Sequence, residues 1–188
     1  MDAITIRTAR PEDLAAIAAM QRRSLLALAV GDYAPDTVEA MAAHLPTLNP
    51  ALAAAGTLLV AEAGGRVLGS AGWSRRPIDD SIALDRAPSP FPPALDPVGT
   101  VRSVFVDPCM ARRGLGRRLM AGIEAAMTAS GFVTAELLGT LPAERLYRAL
   151  GYTALAQHVL RLPGGQRVRL RRMARRLEAA PAGMPIAA

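Results

Sequence analysis

Two glycines set among arginines carry the densest chemical signal in the chain. The segment Ala111-Arg112-Arg113-Gly114-Leu115-Gly116-Arg117-Arg118-Leu119 follows the strand-like Val101-Arg102-Ser103-Val104-Phe105-Val106 and the dipeptide Asp107-Pro108. A strand feeding a tight glycine turn that opens a helix leaves the first helical N–H groups unpaired, their partial positive charge directed outward. Gly114 and Gly116 lack a Cβ, so phosphate oxygens can come close to their backbone. Arg112, Arg113, Arg117 and Arg118 add forked cationic donors. The arrangement suits phosphate oxygens held on the N–H groups of residues 112–117, the alternative being an ordinary strand-to-helix turn with solvated arginines. It does not fit a dinucleotide fold, because no third glycine completes a G-x-G-x-x-G turn after an early strand and no βαβ series continues.

The surrounding periodicity supplies the elements that must hold this turn. Residues 3–8 read as a strand. Pro11, Glu12 and Asp13 open a helix whose apolar face carries Leu14, Ile17, Ala18, Leu25 and Leu28, stopped at Gly31. Asp36 and Glu39 have capping-box spacing ahead of a second helical stripe through Val38, Met41, Ala42 and Leu45. Residues 57–61 and 67–73 form a hairpin about Gly64-Gly65. Residues 77–97, with six prolines, make a long loop. A strand over 100–106 precedes the turn, and Leu115, Leu119, Ile123, Ala126 and Met127 stripe the helix after it, closed by Gly131. A strand (133–138), a short helix (142–150) ending on Gly151, and a terminal hairpin (153–162 and 168–176) about Gly164-Gly165 complete the series. The order predicts an α/β fold, a mixed sheet with helices on both faces, in one domain over 1–177. Residues 178–188, rich in Ala, Pro and Gly, are expected to be a disordered tail.

Composition narrows the class. The chain has 188 residues, 51% apolar and 20% charged, with a net charge of +6 carried entirely by arginine among its 22 basic residues. That balance suits a folded protein with an anionic small-molecule partner. Cys109 is the single cysteine, so no internal disulfide forms, and with His44 and His158 isolated no metal site is expected. The uncharged stretch 45–61 is broken by Pro46, Asn49, Pro50 and Gly56, which argues against a membrane span. No secretory signal is legible at the N-terminus, and the expected location is cytoplasmic. The arginines of residues 167–176 alternate with apolar residues like one face of a half-buried strand. No stacking aromatics accompany them, so nucleic acid is not expected as a partner.

The strand, Val-Asp-Pro and glycine turn together resemble motif A of the GNAT N-acetyltransferase superfamily. Gly114 and Gly116 match its Q/R-x-x-G-x-G/A pattern, with Ala111 standing at the leading position. The downstream segment Ala143-Glu144-Arg145-Leu146-Tyr147-Arg148-Ala149-Leu150-Gly151-Tyr152 resembles the family's A-x-x-x-Y-x-x-x-G-F/Y segment. The resemblance runs over about residues 4–177. It implies a mostly antiparallel twisted sheet flanked by helices, with acetyl-CoA as the acyl donor. It places the donor's pyrophosphate on Arg112, Arg113, Gly114, Leu115, Gly116 and Arg117, beside Ala111, and its pantetheine along Val104, Phe105 and Val106 like an added strand. Tyr147 is then the general acid for the departing thiolate, and Thr140, where many members carry asparagine, caps the short helix and touches the donor.

The same resemblance leaves the base and the acceptor open. Many members place a glutamate on the fourth strand; Thr100, Arg102 and Ser103 occupy that region here. Glu62 and Glu136 are the remaining carboxylate candidates, with a water chain as the alternative. Asp32, Tyr33, Trp73 and the Asp79-Asp80 pair are candidate lining residues for a primary amine on a small molecule or peptide, with His44 beside them. A homodimer remains open. The competing reading is an acyl-CoA-binding sensor or partner module without turnover.

Overall fold

The computed structural model describes residues 3–45, 47–75, 78 and 97–178. Strand β1 (Thr5–Thr8) leads through a 3-10 turn (Pro11–Asp13) into α1 (Leu14–Leu28). Helix α2 (Pro35–His44) and the short α3 (Pro50–Ala54) precede the hairpin of β2 (Leu58–Ala63) and β3 (Arg66–Ser74). Then come β4 (Val98–Val106), α4 (Leu115–Ala129), β5 (Thr134–Thr140) and α5 (Leu141–Ala149). The hairpin of β6 (Thr153–Arg161) and β7 (Arg167–Arg176) closes the series.

Among the described residues, seven strands join one sheet in the order β1-β2-β3-β4-β5-β7-β6. Only β4 and β5 pair in parallel; every other neighbour pair is antiparallel. The expected mixed, mostly antiparallel sheet is therefore the observed one. Alternate strand residues face opposite sides: Leu58 and Val60 pack with α1 and α3, whereas Leu59 packs toward α4. On β5, Leu137 joins the α4 side and Leu138 the α1–α2 side. Helices thus cover both faces.

Helix α4 can lie close to the strands because two of them carry glycine beneath it. A Cβ on Gly69 would stand 2.8 Å from Leu119 Cδ1, and one on Gly99 would stand 2.6 Å from Met127 Cε. Leu115, Leu119, Ile123 and Met127, the helical stripe read from the sequence, are buried at 1% exposure or less. This burial anchors the helix whose first turn carries the glycines.

Two local expectations give way. Helix α3 falls inside the uncharged stretch and was not foreseen; Asn49 caps it, its side chain accepting from the Ala51 N–H at 3.0 Å. The Asp36–Glu39 capping box does not form, because Pro35 takes the first helical position and Ala34 the cap. Asp36 Oδ1 instead accepts from the Thr37 N–H at 2.7 Å. Asp79, Asp80, most of the proline-rich loop and residues 179–188 lie outside the described residues. No described helix is long and apolar enough to cross a membrane.

Candidate functional site

The parallel ladder between β4 and β5 covers only Val98–Thr134 through Val101–Leu137. Beyond it the strands part. The cause lies in β4: Ser70 faces Phe105 and Gly72 faces Arg102, so Ser103 and Val104 together oppose the single residue Ala71. Ser103 occupies the left-handed region at φ 54°, unusual for a residue with a Cβ. Hydrogen bonds hold it there. Its carbonyl accepts from Ser70 Oγ at 2.8 Å, and its own Oγ donates to the Thr47 carbonyl at 2.7 Å. Behind Ser70, the buried Gln21 donates to Ser70 Oγ at 3.0 Å. A bulge of this kind bends its strand, and here it opens a wedge in the sheet.

Two cavities meet in the wedge. The larger, about 580 Å³, runs past Val104, Phe105 and Val106 to the glycine turn. Its other walls are the last turns of α1 (Ser24, Leu25, Leu28 and Ala29) and the face of α5. The smaller, about 280 Å³, is lined by Thr47, Asn49, Thr100, Arg102 and Ser103. Val104, Phe105, Thr140, Ala143 and Tyr147 border both.

At the turn, Gly114 is the α4 N-cap with φ 81°, a conformation natural to glycine. A Cβ there would meet no atom within 4 Å, so the space before the helix N-terminus is open. Ala111, Arg112, Gly114, Leu115, Gly116 and Arg117 all border the larger cavity. Arg113 does not, and Arg118 reaches away to the Ile4 carbonyl at 3.2 Å. In their place α5 contributes Arg145, a cation the sequence reading passed over. Gly116 lets α5 approach, since its Cβ would sit 3.0 Å from Leu146 Cδ2. Just ahead of the turn, Asp107 is 2% exposed and binds Arg23 at 2.9 Å and Arg66 at 3.1 Å. Burial pushes its carboxyl upward, but hydrogen bonds from Cys109 and Arg23 outweigh this and hold it well below the usual carboxylate range. That hydrogen bond raises the Cys109 thiol, which leaves it a poor nucleophile at neutral pH.

Tyr147 is 4% exposed, its ring tilted against Tyr152 at 5.8 Å between centroids. Burial raises its phenol above the ordinary value, so it stays protonated. Among the described residues no hydrogen bond engages this hydroxyl, while that of Tyr152 donates to Glu124 at 2.9 Å. Thr140 is the α5 N-cap but makes no side-chain capping bond. The expected cap is supplied from elsewhere: the Leu141 N–H donates to the Tyr33 hydroxyl at 2.9 Å.

A family model described as an acetyltransferase (GNAT) domain matches residues 54–154, just over half of the chain. That stretch spans the bulge, the glycine turn and Tyr147. The chain belongs to the GNAT acetyltransferase family. No curated protein matches it in sequence. Among solved structures, a GCN5-related N-acetyltransferase of Rhodopseudomonas palustris is 22% identical, with 94% of this chain and 98% of that one covered at a TM-score of 0.69. The yncA protein of Salmonella typhimurium, solved with its cofactor acetyl-CoA, is 24% identical over 97% and 99% at 0.61. The paia N-acetyltransferase of Thermoplasma acidophilum, in complex with coenzyme A, is 15% identical over 93% and 99% at 0.63. At such identities the likeness is one of fold.

In this GNAT chain the remaining candidates stand apart from the wedge. Glu62, on β2, pairs with Arg7 at 2.7 Å, and Arg7 also binds Asp13 at 2.7 Å. The hydrogen bond from Arg7 lowers the Glu62 carboxyl. Glu136 is held by Arg172 through two bonds of 2.8 and 3.0 Å. Both borders of the wedge exclude these two carboxylates, and their ion pairs give them structural work instead. Trp73 is buried at 8% exposure, edge-on to Phe132 at 5.4 Å, so it packs the core rather than lining either cavity. Asp32 is exposed in the α1–α2 loop and Tyr33 is bonded to backbone on both sides; neither borders the two cavities. Three β7 arginines are likewise occupied, Arg171 by Glu144, Arg172 by Glu136 and Arg175 by Glu124.

Proposed function

We propose that the protein transfers an acetyl group from acetyl-CoA to a primary amine by direct attack, with Tyr147 as general acid. The observation that carries this reading is the Tyr147 hydroxyl. The residue is buried, and its protonated hydroxyl is unengaged among the described residues, on the border shared by the glycine-turn cavity and its smaller neighbour.

The donor fits the larger cavity. Its volume is within the range of small-molecule sites, roughly 300–1,000 Å³, and the open space before Gly114 faces N–H groups at a helix start. Arg112, Arg117 and Arg145 would neutralise phosphates. Parted from β5, Val104, Phe105 and Val106 offer an extended backbone edge suited to the amides of a pantetheine arm. The acyl carbon would then lie where the two cavities meet. The acceptor would enter through the smaller one, its nitrogen attacking the thioester carbonyl as the carbon–sulfur bond breaks. The Tyr147 O–H donates its proton to the departing sulfur.

The amine must also lose a proton. No carboxylate among the described residues borders the smaller cavity. Thr100 borders it at only 2% exposure, and its buried Oγ1 has no hydrogen-bond partner among the described residues. With no carboxylate on that border, a water in the cavity is the favoured carrier of the proton over Glu62 or Glu136.

Thiol release from acetyl-CoA across a panel of amines, run beside Tyr147→Phe, tests the reading. The variant should keep its acetyl-CoA affinity while turnover falls about 10²–10⁴-fold. Turnover within about threefold of the parent in a folded variant would remove Tyr147 from the chemistry. A parent that binds acetyl-CoA yet acylates no amine would favour the non-catalytic binding module.

A further inference from the structure

The α1–α2 loop places one side chain, Tyr33, between two backbones far from it in sequence. Its hydroxyl donates to the Arg169 carbonyl of β7 at 2.6 Å and accepts from the Leu141 N–H at 2.9 Å. The second bond caps α5. Thr140, which holds the cap position, leaves its own side chain out of the role, and Pro142 has no N–H to satisfy. The first four N–H groups of a helix need outside partners, and a missing one costs the helix its fixed start. Here the partner comes from a different layer of the fold.

That bond joins the loop after one wall of the donor cavity to the start of another wall. The last turns of α1, immediately before Tyr33, form one wall, and α5 forms another. Tyr33 also packs with Leu25, Met41 and Leu170 in the cluster beneath α2. One phenol therefore ties the α1 wall to the α5 wall and both to β7. Helix α5 has only nine residues and a single buried side chain, Tyr147. Its seating depends on its ends.

We infer that Tyr33 is a positioning residue: it caps α5 from the α1–α2 loop and so fixes where Tyr147 stands in the wedge. The inference rests on the proposed role of Tyr147. Tyr33→Phe keeps the ring and its packing and deletes both hydrogen bonds. The chain has three tyrosines, so protein labelled with 3-fluorotyrosine gives three fluorine resonances, with Tyr147 assigned by its loss in Tyr147→Phe. In Tyr33→Phe the Tyr147 resonance should shift or broaden and the Leu141 amide should exchange with solvent faster. Turnover should fall about five- to tenfold, the worth of one helix cap. In the Tyr147→Phe background the same change should leave turnover where it was, because the two act through one group.

An unmoved Tyr147 resonance overturns the inference whatever turnover does. So does an equal loss of turnover in both backgrounds when Tyr147→Phe is itself impaired. If Tyr147→Phe matches the parent, the general-acid reading fails by itself, and the fluorine shift still decides whether Tyr33 positions the ring.

Discussion

The ring of Tyr147 rests on the backbone of Gly139: a Cβ at Gly139 would stand 2.8 Å from Tyr147 Cε2 and 3.2 Å from Cδ2. Only the missing side chain lets the ring reach the wedge. Gly139→Ala should therefore displace the phenol, costing about 1–3 kcal/mol of stability through overpacking. A shift of about an ångström in a catalytic group costs on the order of 10²-fold in rate. Steady-state turnover and thermal melting, measured together, check this; parent-level turnover in the alanine variant would show that ring placement does not limit the reaction.

Burial keeps the Tyr147 phenol protonated above its usual range, which begins at about 10. Turnover should rise with pH as the acceptor amine loses its proton. It should show no descending limb from this group below about pH 10. A pH–rate profile that falls between about 8 and 9 would assign the acid to another residue.

Gly114 offers a test of the phosphate turn that separates strain from ligand. Its φ of 81° makes any side chain strained, yet a Cβ there meets nothing in the protein itself. Gly114→Ala should lower the melting temperature with or without ligand, by the few degrees that ~1 kcal/mol represents. The rise in melting temperature produced by acetyl-CoA should also shrink, because the added methyl occupies the phosphate's approach. An unchanged rise would move the pyrophosphate elsewhere.

The Arg7–Asp13–Glu62 cluster should shape acid stability. Hydrogen bonds from Arg7 hold the Asp13 carboxyl at about 2, below an ordinary value of about 3.9. A depressed acid stabilises the fold above its unfolded pKa and loses that contribution as pH falls through the folded one. The advantage of the parent over Asp13→Asn should be full above about pH 5 and should fade between about pH 4 and 2. Urea midpoints across that range check the sign; a gap that widens toward pH 2 would contradict it.

What the sequence made legible was local. The glycine turn, the α4 stripe and both glycine hairpins are written within a few residues of themselves, and periodicity finds them. Glu62 and Glu136 kept their candidacy because their partners, Arg7 and Arg172, lie 55 and 36 residues away. Thr140 had the right type and place for a cap, but a tertiary contact from Tyr33 took the role. Arg145 sits two residues before Tyr147 and went unmarked, since only the packing of α5 turns it toward the turn. Trp73 reads equally well as ligand surface or core until its neighbour Phe132 is known.

The four-pair ladder between β4 and β5 has one more consequence. A strand edge left open recruits other strands, and at the rim of a sheet that invites aggregation. Here the open edge beyond Val101 is recessed, walled by α1 on one side and α5 on the other. A second polypeptide would have to pass those helices to pair with it. The fold thus keeps an adhesive edge in its middle, and on the proposed reading the opening that would admit a pantetheine arm is set back from neighbouring proteins.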